Sequence, residues 1–72
     1  MDEIFVYEIF LDEMLVVNSG NVKFKTEEEA RKDAKNFISY AINKESEFKD
    51  NVEDDFDIII SEVTEEDFTR GW

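Results

Sequence analysis

Residues 26–41 read TEEEARKDAKNFISYA, and this stretch decides the fold. Thr26 followed three residues later by Glu29 is a capping box, in which each side chain accepts a hydrogen bond from the other residue's backbone N–H. Apolar residues then recur at helical spacing and share one face: Ala30, Ala34, Phe37, Ile38 and Ala41. These patterns predict a helix from about residue 27 to about residue 44, and its alanines let it lie close to a sheet.

The chain before this helix predicts β-structure. Residues 4–11 (IFVYEIFL) and 14–17 (MLVV) are rich in the β-branched and aromatic types that favour strands, and Asp12–Glu13 is the expected turn between them. Asn18–Asn21 (NSGN) is the strongest turn signal, because Gly and Asn tolerate positive φ. Residues 22–25 (VKFK) alternate apolar and basic side chains, as a half-exposed strand does. We favour a three-stranded meander; the alternative replaces the first two strands by one long bent strand that pairs with the third.

The chain after the helix predicts one more strand. Residues 45–55 (ESEFKDNVEDD) are polar and either extend the helix or form a loop. Residues 56–63 (FDIIISEV) carry three successive isoleucines, which is typical of a strand that is central in its sheet or covered on both faces. Thr64–Asp67 (TEED) predicts the start of a short terminal helix, after which Phe68 and Trp72 are free to pack back.

The element order β-β-(β)-α-β predicts one α+β domain over residues 1–72. We expect an antiparallel sheet of three to four strands with one helix packed on one face. A single helix leaves the other face of the sheet open, so the terminal segment or a second copy of the chain must cover it. A homodimer is therefore one expected state.

The composition argues against an enzyme and against a bound metal or cofactor. The 72 residues include no His, no Cys and only two Gly, so the usual general base, thiol nucleophile and phosphate-binding loop are missing. The acid-rich run that begins at Asp50 fails as a calcium-binding loop. Its third, sixth and twelfth positions are Val52, Asp55 and Ser61, where ligands and a glycine are required. We expect no catalytic, cofactor-binding or metal-binding residues.

The negative charge is concentrated in the last third of the chain. Residues 1–25 carry a net charge of −3, residues 26–49 of −1 and residues 50–72 of −8, out of −12 in total. Asp55 and Asp57 would lie on one face of a strand at about 6.6 Å, a spacing of the order of that between successive phosphates. The residues expected to contact a partner are these acids and the terminal tryptophan: Asp50, Glu53, Asp54, Asp55, Asp57, Glu62, Glu65, Glu66, Asp67 and Trp72.

This charge distribution predicts a protein that binds other proteins. A chain with a net charge of −12 repels nucleic acid and anionic membranes and attracts basic protein surfaces. In composition it resembles many small bacteriophage-encoded proteins, some of which inhibit host nucleic-acid enzymes by imitating DNA. We therefore expect a non-enzymatic interaction protein that binds a basic protein surface. The most specific form of this hypothesis is a nucleic-acid mimic that inhibits a DNA- or RNA-binding enzyme. The alternative is a dimeric accessory or assembly protein whose acids serve only solubility, with Trp72 covering its small core.

The sequence also bears on location. Residues 1–11 are interrupted by acids and lack the basic start of a secretory leader, and no apolar run reaches the length of a membrane span. We expect a cytoplasmic protein.

Overall fold

The computed structural model describes residues 3–72 and shows a three-stranded antiparallel sheet with one long helix, an α+β fold. The strands are β1 (Ile4–Leu11), β2 (Met14–Asn18) and β3 (Phe56–Val63), and the helices are α1 (Glu27–Lys44) and α2 (Glu65–Thr69). Two short 3-10 turns, Ser46–Phe48 and Glu53–Asp55, connect α1 to β3. The predicted order of strands and helices is confirmed, and the polar segment after α1 is a loop rather than an extension of the helix.

The sheet has the order β2-β1-β3, with β1 antiparallel to both neighbours. Asp12 and Glu13 form the two-residue turn between β1 and β2, which confirms two strands rather than one long bent strand. Opposite Leu11 lie Met14 on β2 and Phe56 on β3. The β1–β2 turn and the start of β3 therefore lie at the same end of the sheet.

Helix α1 begins as the capping residues predict, with one difference. The Thr26 hydroxyl accepts from the Glu29 N–H at 3.1 Å. The Glu29 carboxylate reaches one residue further back than expected and accepts from the Lys25 N–H at 3.2 Å, so the predicted bond to the Thr26 N–H is wrong. The predicted apolar face is buried at its alanines and at Ile38, and Phe37 is half-buried.

The two faces of the sheet are covered by different parts of the chain. α1 packs on β1 and β3 and buries Tyr7 and Ile9 of the central strand. Val6 points to the opposite face and is also fully buried. Lys23, next to the bridge from Phe24 to Phe5, contacts Glu65 and the Phe68 ring of α2, so α2 lies against the segment that crosses the beginning of β1. The prediction that the terminal segment packs back is confirmed.

Two predicted features of the sheet are wrong. Residues 22–25 do not form a strand, and within them only Phe24 makes a β-bridge, to Phe5. The chain leaves the turn at residues 18–21 and crosses β1 at this one point. β3 is an edge strand and not a central one, and Ile59 is 48% exposed. Ile58 and Ile60 pack against the core below α1, while Ile59 faces the other side of the sheet.

Replacing Tyr7 by phenylalanine should lower the free energy of unfolding by about 1–2 kcal/mol near neutral pH, because it removes a hydrogen bond to a charged group. In the structure Tyr7 is buried, and its hydroxyl donates a partly buried hydrogen bond to Asp33 on α1 at 2.7 Å. Burial raises the pKa of Tyr7 well above its usual range, and the hydrogen bond and negative charge of Asp33 raise it further.

The raised pKa of Tyr7 also gives the mutation a signature in alkali. The unfolded chain releases the Tyr7 proton above pH of about 10 while the folded chain keeps it. Stability is therefore complete below that pH and falls as the pH rises further. Urea denaturation at several alkaline pH values should show a shallower loss for Tyr7→Phe than for the wild type, and equal slopes would contradict the assignment.

Candidate interaction surface

The nine acids predicted to contact a partner are all exposed, but they do not form one surface. Strand β3 separates them into two groups, and its eight residues span about 23 Å. The first group precedes β3 or lies at its start: Asp50, Glu53, Asp54, Asp55 and Asp57. The second lies at its far end and on α2: Glu62, Glu65, Glu66 and Asp67.

The first group is joined by four acids that sequence reasoning missed. The pairing of Leu11 with Phe56 brings the β1–β2 turn beside the 3-10 turn that precedes β3. Asp12, Glu45 and Glu47 line one groove, which places the chain after α1 at the same end. We call this surface the acidic end, and it consists of Asp12, Glu13, Glu45, Glu47, Asp50, Glu53, Asp54, Asp55 and Asp57. The strand register and the packing of α1 on the sheet, neither of which sequence patterns specify, bring these segments together.

The acidic end carries a large negative charge that is exposed to solvent. Residues 12–13 and 44–57 hold nine acids and two bases, for a net charge of −7. The carboxyl-terminal end of α1 lies here and adds the negative end of its dipole. The three ion pairs found among residues 3–72 all lie elsewhere: Lys23–Glu65, Arg31–Glu27 and Arg70–Glu66. The charge of the acidic end is therefore directed toward solvent.

The Asp55 side chain stabilises the backbone of the 3-10 turn at the acidic end. Its carboxylate accepts from the backbone N–H of Val52 at 3.0 Å and from the side chain of Asn51 at 3.3 Å. These two hydrogen bonds, the backbone one first, lower the pKa of Asp55. Because Asp55 belongs to the 3-10 turn and only Asp57 to β3, the predicted strand-like pairing of these two acids is wrong.

The β1–β2 turn places two acids in a backbone conformation that favours glycine. Asp12 has φ of 52° and Glu13 has φ of 68°. A two-residue hairpin turn of this kind requires positive φ at both positions and most often contains Asn-Gly or Asp-Gly. Asp tolerates this region, whereas Glu adopts it at a cost of about 1–2 kcal/mol relative to glycine. The turn therefore carries an acid where a relaxed turn would carry glycine.

The second group of acids is partly compensated and lies beside the terminal segment. Glu65 pairs with Lys23 at 3.3 Å, and Glu66 pairs with Arg70 at 2.7 Å. The Trp72 indole N–H donates to the Gly20 carbonyl at 3.2 Å, so the tryptophan is tied to the turn before α1. Glu62 and Asp57 point to opposite faces of β3, because they are an odd number of residues apart.

Comparison with known proteins adds no family to this description: the chain matches no protein-family model, no curated protein and no solved structure. Within residues 3–72, neither helix combines the length and the apolar character needed to cross a membrane. Among the described residues, no three carboxylates have the geometry needed to hold a metal ion.

Proposed function

We propose that the protein is a non-enzymatic interaction protein that binds a basic protein surface through the acidic end. The observation that carries this proposal is the convergence of nine exposed acids from separate segments, with a net charge of −7 and without ion pairs among the described residues. Chain segments far apart in sequence present charge of one sign at one place. A local field of this kind accelerates association with a basic partner and weakens as salt is added.

A nucleic-acid-binding groove is the basic surface that this end fits best. The molecule is 42 Å long and 20 × 17 Å in cross-section. A 20 Å length of duplex DNA carries about 12 phosphate charges, so the net charge of the acidic end is of the same order over the same width. Proteins bind duplexes largely through those phosphates. The acidic end therefore supports competition with DNA or RNA for the same groove, in a cytoplasmic setting as the sequence predicts.

Neutralising the acidic end should reduce partner capture by about tenfold or more, because the local field that attracts a basic partner is lost. The variant combines Glu47→Gln, Asp50→Asn, Glu53→Gln and Asp54→Asn, which make no side-chain hydrogen bonds among residues 3–72 and so can change without disturbing Asp55. Captured proteins from an extract of the native host are quantified at low salt for this variant and the wild type. Release of the captured partner by an excess of duplex DNA or RNA then identifies competition for a nucleic-acid site.

The matched control removes four charges from the opposite half of the molecule. It combines Glu3→Gln, Glu28→Gln, Glu62→Gln and Asp67→Asn, all of which are exposed. The control variant should retain most of the wild-type capture. Equal loss in both variants would show that net charge alone drives capture, and full capture by the acidic-end variant would remove the proposed function.

A second candidate function rests on the open part of the sheet. Ile59 is 48% exposed, and with Phe10 it lies on the face opposite α1, because both alternate with residues that pack against the helix. An assembly protein that dimerises through this face would need its acids only for solubility. Light scattering after size exclusion decides this alternative: a stable dimer that Ile59→Ser dissociates supports it, whereas a monomer removes it.

A further inference from the structure

An apolar groove lies beside the acidic end. α1 packs on β1 and β3, so the side of β2 that faces the helix layer is left open. The resulting groove has a volume of about 560 Å³ and is lined by apolar side chains of β2 and of the segment from α1 to the first 3-10 turn, among them Met14, Val16, Phe37 and Phe48. This volume is within the usual range for sites that hold a ligand or a short peptide segment.

The groove runs along a free sheet edge. β2 is the outermost strand in the order β2-β1-β3. Within residues 3–72, no backbone hydrogen bond joins the outer side of Met14–Val17 to another segment. An exposed edge of this kind accepts an additional strand, which gains main-chain hydrogen bonds and places alternate side chains into adjacent pockets. Met14, 72% exposed, lies in this edge strand.

The charge of the groove selects its occupant. Three acids lie among its lining residues, Asp12, Glu45 and Glu47, and no lysine or arginine does. A second copy of the chain, with a net charge of −12, would bring further negative charge to this rim. A cationic segment is attracted to the acids at the rim of the groove, whereas a second copy of the chain is repelled by them.

We propose that this groove, which we call the β2 groove, binds an extended segment of a basic partner, adding it as a strand to β2. Apolar side chains at alternate positions of the segment fill the groove, and flanking lysines or arginines contact Asp12, Glu45 and Glu47. This inference rests on the proposed function and specifies how it is carried out. The acidic end attracts the basic partner, and the β2 groove holds an apolar part of it.

Two peptides of equal charge test the β2 groove. The first carries isoleucine and valine at alternate positions between two pairs of lysines, and the second carries serine in place of both. Titration calorimetry should show at least about tenfold tighter binding of the first peptide, because only this peptide buries apolar surface. Amide chemical shifts in the labelled protein should move at Met14–Val17 when the first peptide is added.

Two single substitutions localise the binding. Met14→Ser removes an apolar side chain from the groove and should weaken the first peptide several-fold, and its high exposure means that the fold tolerates the change. The matched control Ile59→Ser removes an exposed apolar side chain from the other face and should leave the affinity unchanged.

Each contrary result has its own meaning. Equal binding of the two peptides would overturn the groove and leave the proposed electrostatic function intact. Chemical shifts centred on Ile59, or self-association with no binding of the first peptide, would also overturn it. Failure of the proposed function itself is read from a different experiment, the capture assay, in which the acidic-end variant would then behave as the wild type.

Discussion

Replacing Ile9 by alanine should lower the free energy of unfolding by about 3 kcal/mol, the usual cost of removing three methylene-sized groups from a packed interior. Ile9 lies on the central strand and is fully buried against α1. A domain of 72 residues has a total stability of only about 4–11 kcal/mol. Urea denaturation should therefore show a large fall in the unfolding midpoint, and at the lower end of this range only about 1 kcal/mol of stability remains.

The same substitution at Ile59 is the matched control. Ile59 is 48% exposed on the edge strand, so Ile59→Ala leaves no closed cavity and should cost less than about 1 kcal/mol. Comparable losses for the two variants would contradict the assignment of the core and would indicate that a second copy of the chain covers Ile59 in solution.

Ile9 and Ile59 also show which part of the fold could not be predicted from the sequence, namely the order of the strands in the sheet. Three successive isoleucines at residues 58–60 predict a strand correctly, but the same pattern indicates a strand that is central or covered on both faces. The sheet order makes β3 an edge strand. Which strand becomes central depends on pairing between distant segments, and a short apolar run contains no information about its neighbours.

The long helix could be predicted because its signals are local. Thr26 and the three glutamates that follow it act within one turn, and the buried alanines repeat at helical spacing. Residues 22–25, which do not form the predicted strand, carry no local signal of this kind. Phe24 does approach β1, but the chain pairs with β1 at a single bridge. The hydroxyl of Ser19 accepts from the Tyr7 N–H at 3.1 Å, and this contact sets the direction in which the chain leaves β2.

Five of the nine acids of the acidic end could be predicted from the sequence. Composition located the acid-rich segment that begins at Asp50, since a charge count needs no structure. It did not separate that segment from the acids of α2, and it did not add Asp12, Glu13 or the acids that follow α1. Asp12 and Glu13 join the acidic end through the pairing of Leu11 with Phe56, and the acids after α1 join it through the packing of that helix on the sheet. Both are properties of the folded domain.

Neutralising four acids of the acidic end should make the protein more stable at low salt. The variant is the one used for capture, with substitutions at Glu47, Asp50, Glu53 and Asp54. Like charges held near one another oppose folding, and their removal should raise the thermal midpoint by roughly 5 °C at an ionic strength near 0.01 M. Near 1 M salt the Debye length falls to about 3 Å, and the difference from the wild type should nearly vanish.

The control variant gives this measurement its meaning. Its substitutions include Glu28 and Asp67, which lie in the first turns of α1 and α2. Acids at those positions stabilise a helix, so their removal should not raise the midpoint at any salt concentration. A rise as large as that of the acidic-end variant would show that total charge, and not its local arrangement, opposes folding.

Stability and capture measured on the same variant separate a binding surface from a solubilising coat. The acidic end combines two unfavourable features, mutual repulsion of its acids and a glutamate at Glu13 with φ of 68°. Strained or repelling groups persist where function requires them. A variant that gains stability and loses its partner shows that these charges are retained for binding. A variant that gains stability and keeps its partner shows that they are not, and the second candidate, assembly through the open sheet face, then takes precedence.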